Sequence, residues 1–225
     1  MSKHYYEKVD SQRKYRGLRA ASLLLSLVGL TIVAYVFSPI VSWQLFVGEL
    51  IASDQFTAPI PAFGSIFVDY TDAKNWFPKL GLGPIPLEVS SYTLSIPKLG
   101  IAHASVSSQD YNLAKHLVHY GGTPLPGDRG NTVVFGHSTL PQLFNKNDYK
   151  TIFANLFKLR VGDTVEAEVT GIMYRYRIEK VSVVNPDDTS VFSQSYDRSS
   201  LTLVTCTPPG TVWKRLIVKG VLETL

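Results

Sequence analysis

The sequence predicts a mostly-β domain of about eight short strands, preceded by one N-terminal transmembrane helix. Two observations support this: residues 20–48 carry no charged side chain, and from residue 91 onward short apolar runs alternate with Gly and Pro turn signals. These runs are rich in Val, Ile, Thr and aromatic residues, which favour strands. A closed or nearly closed barrel would protect the edges of so many short strands.

The composition fits one domain with additional segments. The chain has 225 residues, of which 45% are hydrophobic, and its formal net charge is +4. Much of the positive excess lies in the first nineteen residues, whose basic members are Lys3, Lys8, Arg13, Lys14, Arg16 and Arg19. Because the remainder is close to balanced, we expect no nucleic-acid partner.

The uncharged segment after this basic region predicts a membrane anchor. A helix needs about 20 apolar residues to cross a bilayer, and the best core runs from residue 20 to 37. Pro39 marks an expected kink or exit, and Tyr35 and Trp43 suit the outer interface. We therefore assign residues 1–19 to a basic cytoplasmic segment and 20–45 to a single-pass transmembrane anchor. Everything beyond the anchor is expected outside the plasma membrane.

Two other interpretations of this segment are less favoured. A cleaved signal peptide would have a shorter apolar region, and the small residues Ala52 and Ser53 lie well past its core. A buried core helix would show a polar face, which this run lacks.

Residues 46–90 are predicted to be an extracytoplasmic linker. They contain several prolines and glycines and show no sustained periodicity. One short helix is expected around residues 72–77, with Asp72 as its cap.

The domain at residues 91–225 begins with a predicted pair of strands in SYTLSIPKLGIAHASV, broken by Pro97 and Gly100. The next segment, residues 110–122, has apolar residues at helical spacing and ends in Gly-Gly, which predicts a short helix. NTVVFG then predicts a buried strand that ends just before His137.

The second half of the domain follows the same logic. Residues 138–159 are expected to be loop with short helical turns. VGDTVEAEVTGIMYRYRIEKVSVV alternates as two strands around a turn at Gly171, and residues 185–200 form a polar loop with a helical turn. LTLVTC and VWKRLIVKGVLETL are the last strands.

Cys206 is the only cysteine of the chain. Outside the cytoplasm structural cysteines are normally paired, so a single one is a buried small hydrophobe, an intermolecular linker or a reactive thiol.

Three residues would suffice for acyl transfer if they meet. His137 and Cys206 stand at strand ends, and a turn at residues 208–210 would bring Arg215 back beside Cys206. An imidazole exchanges a proton with the thiol and a guanidinium stabilises an oxyanion. Each residue also has an ordinary interpretation: core filling for the cysteine, a loop hydrogen bond for the histidine and a solvated side chain for the arginine.

Several segments resemble the sortases. LTLVTC followed by WKRLIV is similar to the family's Cys and Arg signature, and HYGGTPLPGDRGNTVVFGHS to the segment that leads to its histidine. SIPKLGI resembles the opening strand, and FANLFKLRVGDTVEAEV and YRYRIEKVSVVNPDDTSVF resemble the middle of the family's domain. The resemblance covers residues 92–222.

The resemblance implies an eight-stranded sortase-type β-barrel with short helices and a catalytic triad of His137, Cys206 and Arg215. It implies a cysteine transpeptidase, a hydrolase or acyltransferase, that cleaves an LPxTG-like sorting signal between Thr and Gly. The acyl group would pass through a Cys206 thioester to an amine. The implied partners are surface proteins or pilins with such a signal and an amine acceptor such as a peptidoglycan precursor.

The same resemblance suggests substrate contacts at Thr205, Val204 and Ser138, and specificity in the loop at residues 185–200. No cofactor and no metal are expected. His103, His116 and His119 do not match the family's motif and are expected at the surface or in packing. Residues 67–78 are a hypothetical lid over the site, as in some members of the family.

Competing classes fit less well. Papain-like peptidases place cysteine before histidine, L,D-transpeptidases use a Ser-x-Gly-Cys pattern, and a zinc site lacks ligand pairs at proper spacing. The alternative from a different class is a membrane-anchored β-barrel binding or adhesion module with an inert cysteine.

Overall fold

The computed structural model describes residues 11–51, 68–77 and 89–223 of the chain. It separates into two compact units, residues 1–41 and 42–225, and each is described by itself.

The N-terminal region forms one helix, α1, at Ser11–Ile51. Its stretch Arg16–Ser38 is long and apolar enough to cross a membrane, a property shared by anchors and signal sequences. The expected exit at Pro39 does not end the helix, since a proline costs an interior helix one hydrogen bond without always terminating it. The boundaries assigned at residues 19, 45 and 90 remain predictions.

Within residues 89–223, eight strands close into a barrel in the order β1-β2-β3-β4-β7-β8-β6-β5. The strands are β1 Ser91–Ile96, β2 Ile101–Ser107, β3 Leu117–His119, β4 Gly130–Phe135, β5 Thr164–Val169, β6 Ile172–Val184, β7 Ser199–Thr207 and β8 Lys214–Leu222. The pairs β2–β3 and β4–β7 are parallel and the others antiparallel. The predicted mostly-β barrel with short helices is confirmed.

The helix predicted at residues 110–122 is wrong. The carboxylate of Asp110 accepts from the backbone N–H of Asn112 at 2.8 Å, and the Asn112 side chain accepts from Ala114 at 3.0 Å. These turns compete with helical hydrogen bonds. The apolar residues that follow form the short strand β3 between β2 and β4.

The short helices are all 3-10 turns: Ala73–Trp76, Pro97–Leu99, Pro141–Leu143, Leu156–Lys158 and Thr189–Phe192. The first confirms the turn expected near residue 72, since the Asp72 side chain accepts from the backbone N–H of Lys74. The last lies in the β6–β7 loop, as predicted.

Apolar side chains form two clusters. One fills the barrel interior. The other, here called the outer cluster, lies on the outer face of β4, β7 and β8 and is covered by residues 70–77 and the β6–β7 loop. Its members are Ala73, Trp76, Phe77, Tyr111, Leu113, Val118, Tyr120, Val133, Phe135, Val191, Val204, Cys206 and Ile217. Since both faces of β7 are covered, all nine of its residues are buried.

The segment 68–77 is held to the barrel by backbone hydrogen bonds. Ala73 donates to the Tyr111 carbonyl at 3.0 Å and Leu113 donates to the Thr71 carbonyl at 2.9 Å. The predicted linker is therefore ordered here, against the segment that precedes β3. Phe67 and Pro78, the ends of the hypothetical lid, lie outside the described residues.

Candidate active site

Cys206 and Arg215 are direct cross-strand partners on β7 and β8. The connection between these strands spans residues 208–213 and is longer than the turn suggested at residues 208–210, but the antiparallel register still places the two side chains on the same face. That face carries the outer cluster, of which Cys206 is a member.

His137 follows β4, which runs parallel to β7 with Phe135 opposite Val204. The pairing continues beyond the strand, because Gly136 donates to the Val204 carbonyl at 3.1 Å. Extending this register by one more pair of residues brings His137 level with Cys206. The barrel thus places His137, Cys206 and Arg215 side by side on β4, β7 and β8.

A single hydrogen bond sets the protonation of the His137 ring. Its Nδ1 lies 2.9 Å from the Ser138 carbonyl oxygen, which can only accept. Nδ1 therefore carries a hydrogen in this arrangement, and Nε2 is left to exchange a proton with a reacting group.

Two side-chain hydroxyl groups form hydrogen bonds between β7, which carries Cys206, and the residues around His137 that follow β4. Ser138 donates to the Cys206 carbonyl at 2.9 Å, and Thr205 donates to the Gly136 carbonyl at 2.8 Å. Thr205 points to the opposite face of β7 from Cys206, whereas Val204 lies in the outer cluster, fully buried beside it. The substrate contacts suggested for these three residues stay predictions; in this conformation both hydroxyls have structural partners.

Arg215 is 1% exposed and its guanidinium is nearly enclosed by backbone oxygens. One terminal nitrogen donates to the carbonyls of Val212 and Lys214, and the other donates to the Trp76 carbonyl at 2.9 Å. Nε has no hydrogen-bond partner within the described part of the chain. The Trp76 contact links the segment before the barrel directly to the site.

Two aromatic side chains cover the three residues. The Trp76 ring lies 6.4 Å from the His137 ring and 5.4 Å from the Arg215 guanidinium, and Phe77 lies 5.9 Å from the same guanidinium. Phe77 also packs edge-on against Phe192 of the β6–β7 loop, with ring centroids 4.9 Å apart. Cys206 is consequently 6% exposed.

Burial sets the charge state of the thiol. It raises the pKa of Cys206 to about 11, although the Arg215 guanidinium acts in the opposite direction. The same burial lowers the pKa of Arg215, which the nearby Cys206 and Tyr70 oppose. In this structure Cys206 is therefore a neutral thiol at neutral pH.

The family model of the sortase domain matches residues 94–223. The chain belongs to the sortase family. The matched region contains the barrel from Leu94, within β1, to the end of β8, including His137, Cys206 and Arg215.

Individual sortases agree with this assignment. Sortase D of Bacillus subtilis is 29% identical over 135 residues, which cover 58% of this chain and 63% of that protein. A Clostridium perfringens Sortase D5 transpeptidase has a solved structure with 29% identity and a TM-score of 0.52, covering 62% of this chain and 83% of that one. Sortase C1 of Streptococcus agalactiae aligns with 27% identity and a TM-score of 0.51, covering 61% and 69%.

The other histidines within residues 89–223 lie away from the three residues. His119 is buried between Tyr92 and Thr123, His116 contacts the Asp110 carboxylate at 3.0 Å, and His103 lies on the surface near Glu168. Within residues 11–51, 68–77 and 89–223, no three His, Cys, Asp or Glu side chains are grouped to hold a metal ion.

The aromatic cover was only partly anticipated from the sequence. The Trp-Phe pair at residues 76 and 77 falls in the hypothetical lid, but its ring partners Phe135 and Phe192 come from two distant segments, and Tyr120 packs against both of these. In the sequence, only the Trp-Phe pair before a proline, within an otherwise irregular linker, indicated that aromatic side chains could cover the site.

The arrangement has the parts needed for covalent acyl transfer. The sulfur supplies a nucleophile, Arg215 lies where negative charge would develop, and Nε2 of His137 is available for proton transfer.

Proposed function

We propose that the chain is a membrane-anchored cysteine transpeptidase acting on an LPxTG-like sorting signal. The observation that carries the proposal is the register of β4, β7 and β8, which aligns His137, Cys206 and Arg215 on one face. Membership in the sortase family supports it.

The proposed reaction has two acyl transfers. Nε2 of His137 takes the proton of Cys206, the thiolate attacks the Thr carbonyl of the signal, and the oxyanion that forms is stabilised by Arg215. The carbon–nitrogen bond to Gly then breaks as His137 gives a proton to the leaving amine. An acceptor amine on a cell-wall precursor or a pilin attacks the thioester, forms a new amide and releases the thiol. Because the thioester conserves the acyl activation, no nucleotide is needed.

The intact mass of the full chain in detergent, mixed with a pool of LPxTG-like peptides, tests this proposal. The expected result is an added mass equal to the acyl fragment that ends at Thr. Hydroxylamine should remove it, and Cys206→Ala should not acquire it. A chain without adduct and with an unreactive Cys206, even after the cover is removed, would favour the binding module with an inert cysteine.

We also propose that residues 68–77 act as a lid. Trp76 and Phe77 occupy the apolar face beside Cys206, and the Trp76 carbonyl takes a hydrogen bond from Arg215. A peptide that reaches the sulfur must displace both side chains. The lid therefore holds the enzyme in a resting state with a protonated thiol.

The topology completes the proposal. Family membership and the apolar helix Arg16–Ser38 support attachment to the plasma membrane. The basic N-terminal residues support a cytoplasmic N-terminus and, with it, a barrel outside the membrane. There it would meet surface proteins or pilins and the wall precursor.

A further inference from the structure

The face that carries Cys206 and Arg215 continues along the strands as two further rows of side chains. Residues two apart on a strand share a face, so the register defines the rows. Read across β6, β8 and β7, the first row is Val184, Arg215 and Cys206. The second row is Ser182, Ile217 and Val204, and the third is Lys180, Lys219 and Thr202.

An open cavity of about 400 Å³ lies over the second and third rows. Its floor includes Ile217, Lys180 and Lys219, and its far wall is the β6–β7 loop with Val191 and Asp188. The cavity is apolar toward the active site and basic at its far end.

The two lysines are an unusual pair for a sheet. Lys180 and Lys219 are direct cross-strand partners, a position in which like charges destabilise the pairing. Within the part of the chain that the structure describes, neither ammonium group forms an ion pair. Partial burial and the proximity of Arg198 and Lys180 lower the pKa of Lys219.

The nearby carboxylates are engaged elsewhere. Glu179 pairs with Arg198 at 3.1 Å and Asp197 accepts from the Ser195 hydroxyl. Asp188 accepts from the backbone N–H of Ser190 at 2.9 Å, as the cap of the 3-10 helix in the loop. Glu179 and Asp197 nevertheless favour the charged form of Lys219 and oppose the lowering of its pKa. Among the described residues, neither lysine therefore forms an ion pair, although Asp188 lines the same cavity.

The strand order gives the direction of a bound peptide. β4 with His137 lies on one side of β7, and β8 and β6 lie on the other. Because His137 would protonate the leaving amine, the part of the peptide after the cleaved bond lies toward β4. The acyl part before that bond therefore extends toward β8, β6 and the cavity.

The distance from Arg215 to Lys219 along β8 indicates which residue of the bound peptide lies near the two lysines. Lys219 lies four residues beyond Arg215 on β8, about 13 Å at about 3.3 Å per residue. With the added step across one or two strands, an extended peptide bridges this gap with about four or five residues.

We propose that Lys180 and Lys219 bind an acidic side chain of the substrate just before the LPxTG-like motif, about five residues before the cleaved bond. This inference rests on the proposed transpeptidase function and adds a substrate preference to it. The carboxylate would supply the counter-ion that the lysine pair lacks, and an apolar side chain of the peptide would lie over Ile217.

Peptide competition tests the preference. LPxTG-like peptides carrying Glu, Gln or Lys just before the motif are cleaved by the full chain in detergent, and kcat/KM is compared at low and high salt. Glu should exceed Gln by about tenfold at low salt, and high salt should narrow that ratio. In Lys219→Gln and in Lys180→Gln, the ratio of kcat/KM for the Glu peptide to that for the Gln peptide should fall toward one. In Lys219→Glu, the Lys peptide should have the highest kcat/KM.

Lys98→Gln is the matched control, because this lysine lies between β1 and β2, pairs with Asp163 at 2.7 Å and does not line the cavity. Its ratio of Glu to Gln cleavage should equal that of the unchanged chain. Equal cleavage of the Glu and Gln peptides by the unchanged chain would overturn the lysine site while leaving the transpeptidase intact.

A binding measurement separates the two proposals. Fluorescence anisotropy of labelled peptides on the full-length Cys206→Ala variant reports recognition without chemistry. Tighter binding of the Glu peptide that is lost in Cys206→Ala combined with Lys219→Gln supports the site even if no peptide is cleaved. Indifference to the Glu side chain in this assay rejects the site independently of catalysis.

Discussion

At the residue scale, the environment of Cys206 decides its chemistry. The thiol is nearly enclosed, and burial outweighs the effect of Arg215 on its pKa. A nucleophile that is protonated while covered becomes reactive only when water and substrate reach it, so its reactivity reports the opening of the site.

Alkylation of Cys206 should therefore be slow in the unchanged chain. Its rate should keep rising above pH 9, because the pKa of about 11 leaves little thiolate below that pH. Since Cys206 is the only cysteine, iodoacetamide labelling followed by intact mass measures it directly. A half-maximal rate near pH 7 in the unchanged chain would contradict the closed resting state.

His119 should make stability depend on pH. It is 1% exposed, and burial lowers its pKa from 6.5 to about 4 in the folded chain. Between these pH values the unfolded chain binds a proton that the folded chain does not. The free energy of unfolding should therefore fall by about 3 kcal/mol as pH decreases from 6.5 to 4.

Urea titrations across this pH range, compared with His119→Gln, check the effect. Glutamine keeps polar groups near Tyr92 and Thr123 but does not titrate, so the variant should lose most of this pH dependence. The exposed His103→Gln is the control and should retain it. Identical pH profiles for His119→Gln and the unchanged chain would rule out His119 as the origin.

At the element scale, the segment 68–77 and the β6–β7 loop together cover the outer face of the barrel. Each contributes aromatic rings to the outer cluster, with Trp76 and Phe77 on one side and Phe192 on the other. Loosening either element should expose the same residues.

The lid predicts a gain of activity on its removal. Replacing Trp76 and Phe77 together by Ala removes their rings while the backbone remains, and deletion of residues 67–78 removes the segment. Both changes should raise peptide cleavage and Cys206 alkylation by about tenfold or more, because a few kcal/mol of closing energy is lost.

Lys74→Gln is the control within the same segment, since its side chain lies over the Tyr111 ring, away from Cys206. It should leave both rates unchanged. Cleavage that does not increase in either lid variant, while the barrel retains its melting temperature, would show that residues 68–77 do not restrict access.

The approach of Gly136 to Phe153 predicts a loss of stability. A Cβ added at Gly136 would overlap the Phe153 ring, and the next residue is His137. Gly136→Ala should lower the free energy of unfolding by about 1–3 kcal/mol and reduce cleavage, because the histidine loop must move. Adding Phe153→Leu should restore part of both losses in chemical denaturation and peptide assays, whereas no restoration would place the strain elsewhere.

At the scale of the whole molecule, the barrel and the helix have separate roles. The closed strand order removes sheet edges and aligns β4, β7 and β8, whereas the helix Arg16–Ser38 is long and apolar enough to cross a membrane and is the proposed anchor. The catalytic face should therefore not depend on how the chain is attached.

The anchor predicts membrane retention and an outward-facing barrel. The full chain should resist alkaline carbonate extraction from cell membranes, and protease added to intact spheroplasts should digest the barrel. Leu27→Arg places a charge within the apolar stretch at a cost of about 2.5–3.5 kcal/mol and should weaken retention. Release of a shortened chain into the medium would instead identify a cleaved signal sequence.

The sequence by itself determined the strands, the apolar N-terminal helix and the identity of the candidate residues. Alternating apolar residues bounded by Gly and Pro specify strands locally, and LTLVTC and WKRLIV bring Cys206 and Arg215 together through one short turn. The same local reasoning failed at residues 110–122, where Asx turns and pairing with β2 and β4 outweighed helical periodicity.

Only the tertiary structure decided what surrounds those residues. The position of His137 beside Cys206 depends on parallel pairing between β4 and β7, about seventy residues apart in the chain. Trp76 and Phe77, which cover the site and bury the thiol, lie far from Cys206 in the sequence. Lys180 and Lys219 are likewise distant in the sequence and are brought together by the pairing of β6 with β8. Long-range packing is set by the closure of the whole barrel, so no single stretch of sequence encodes it.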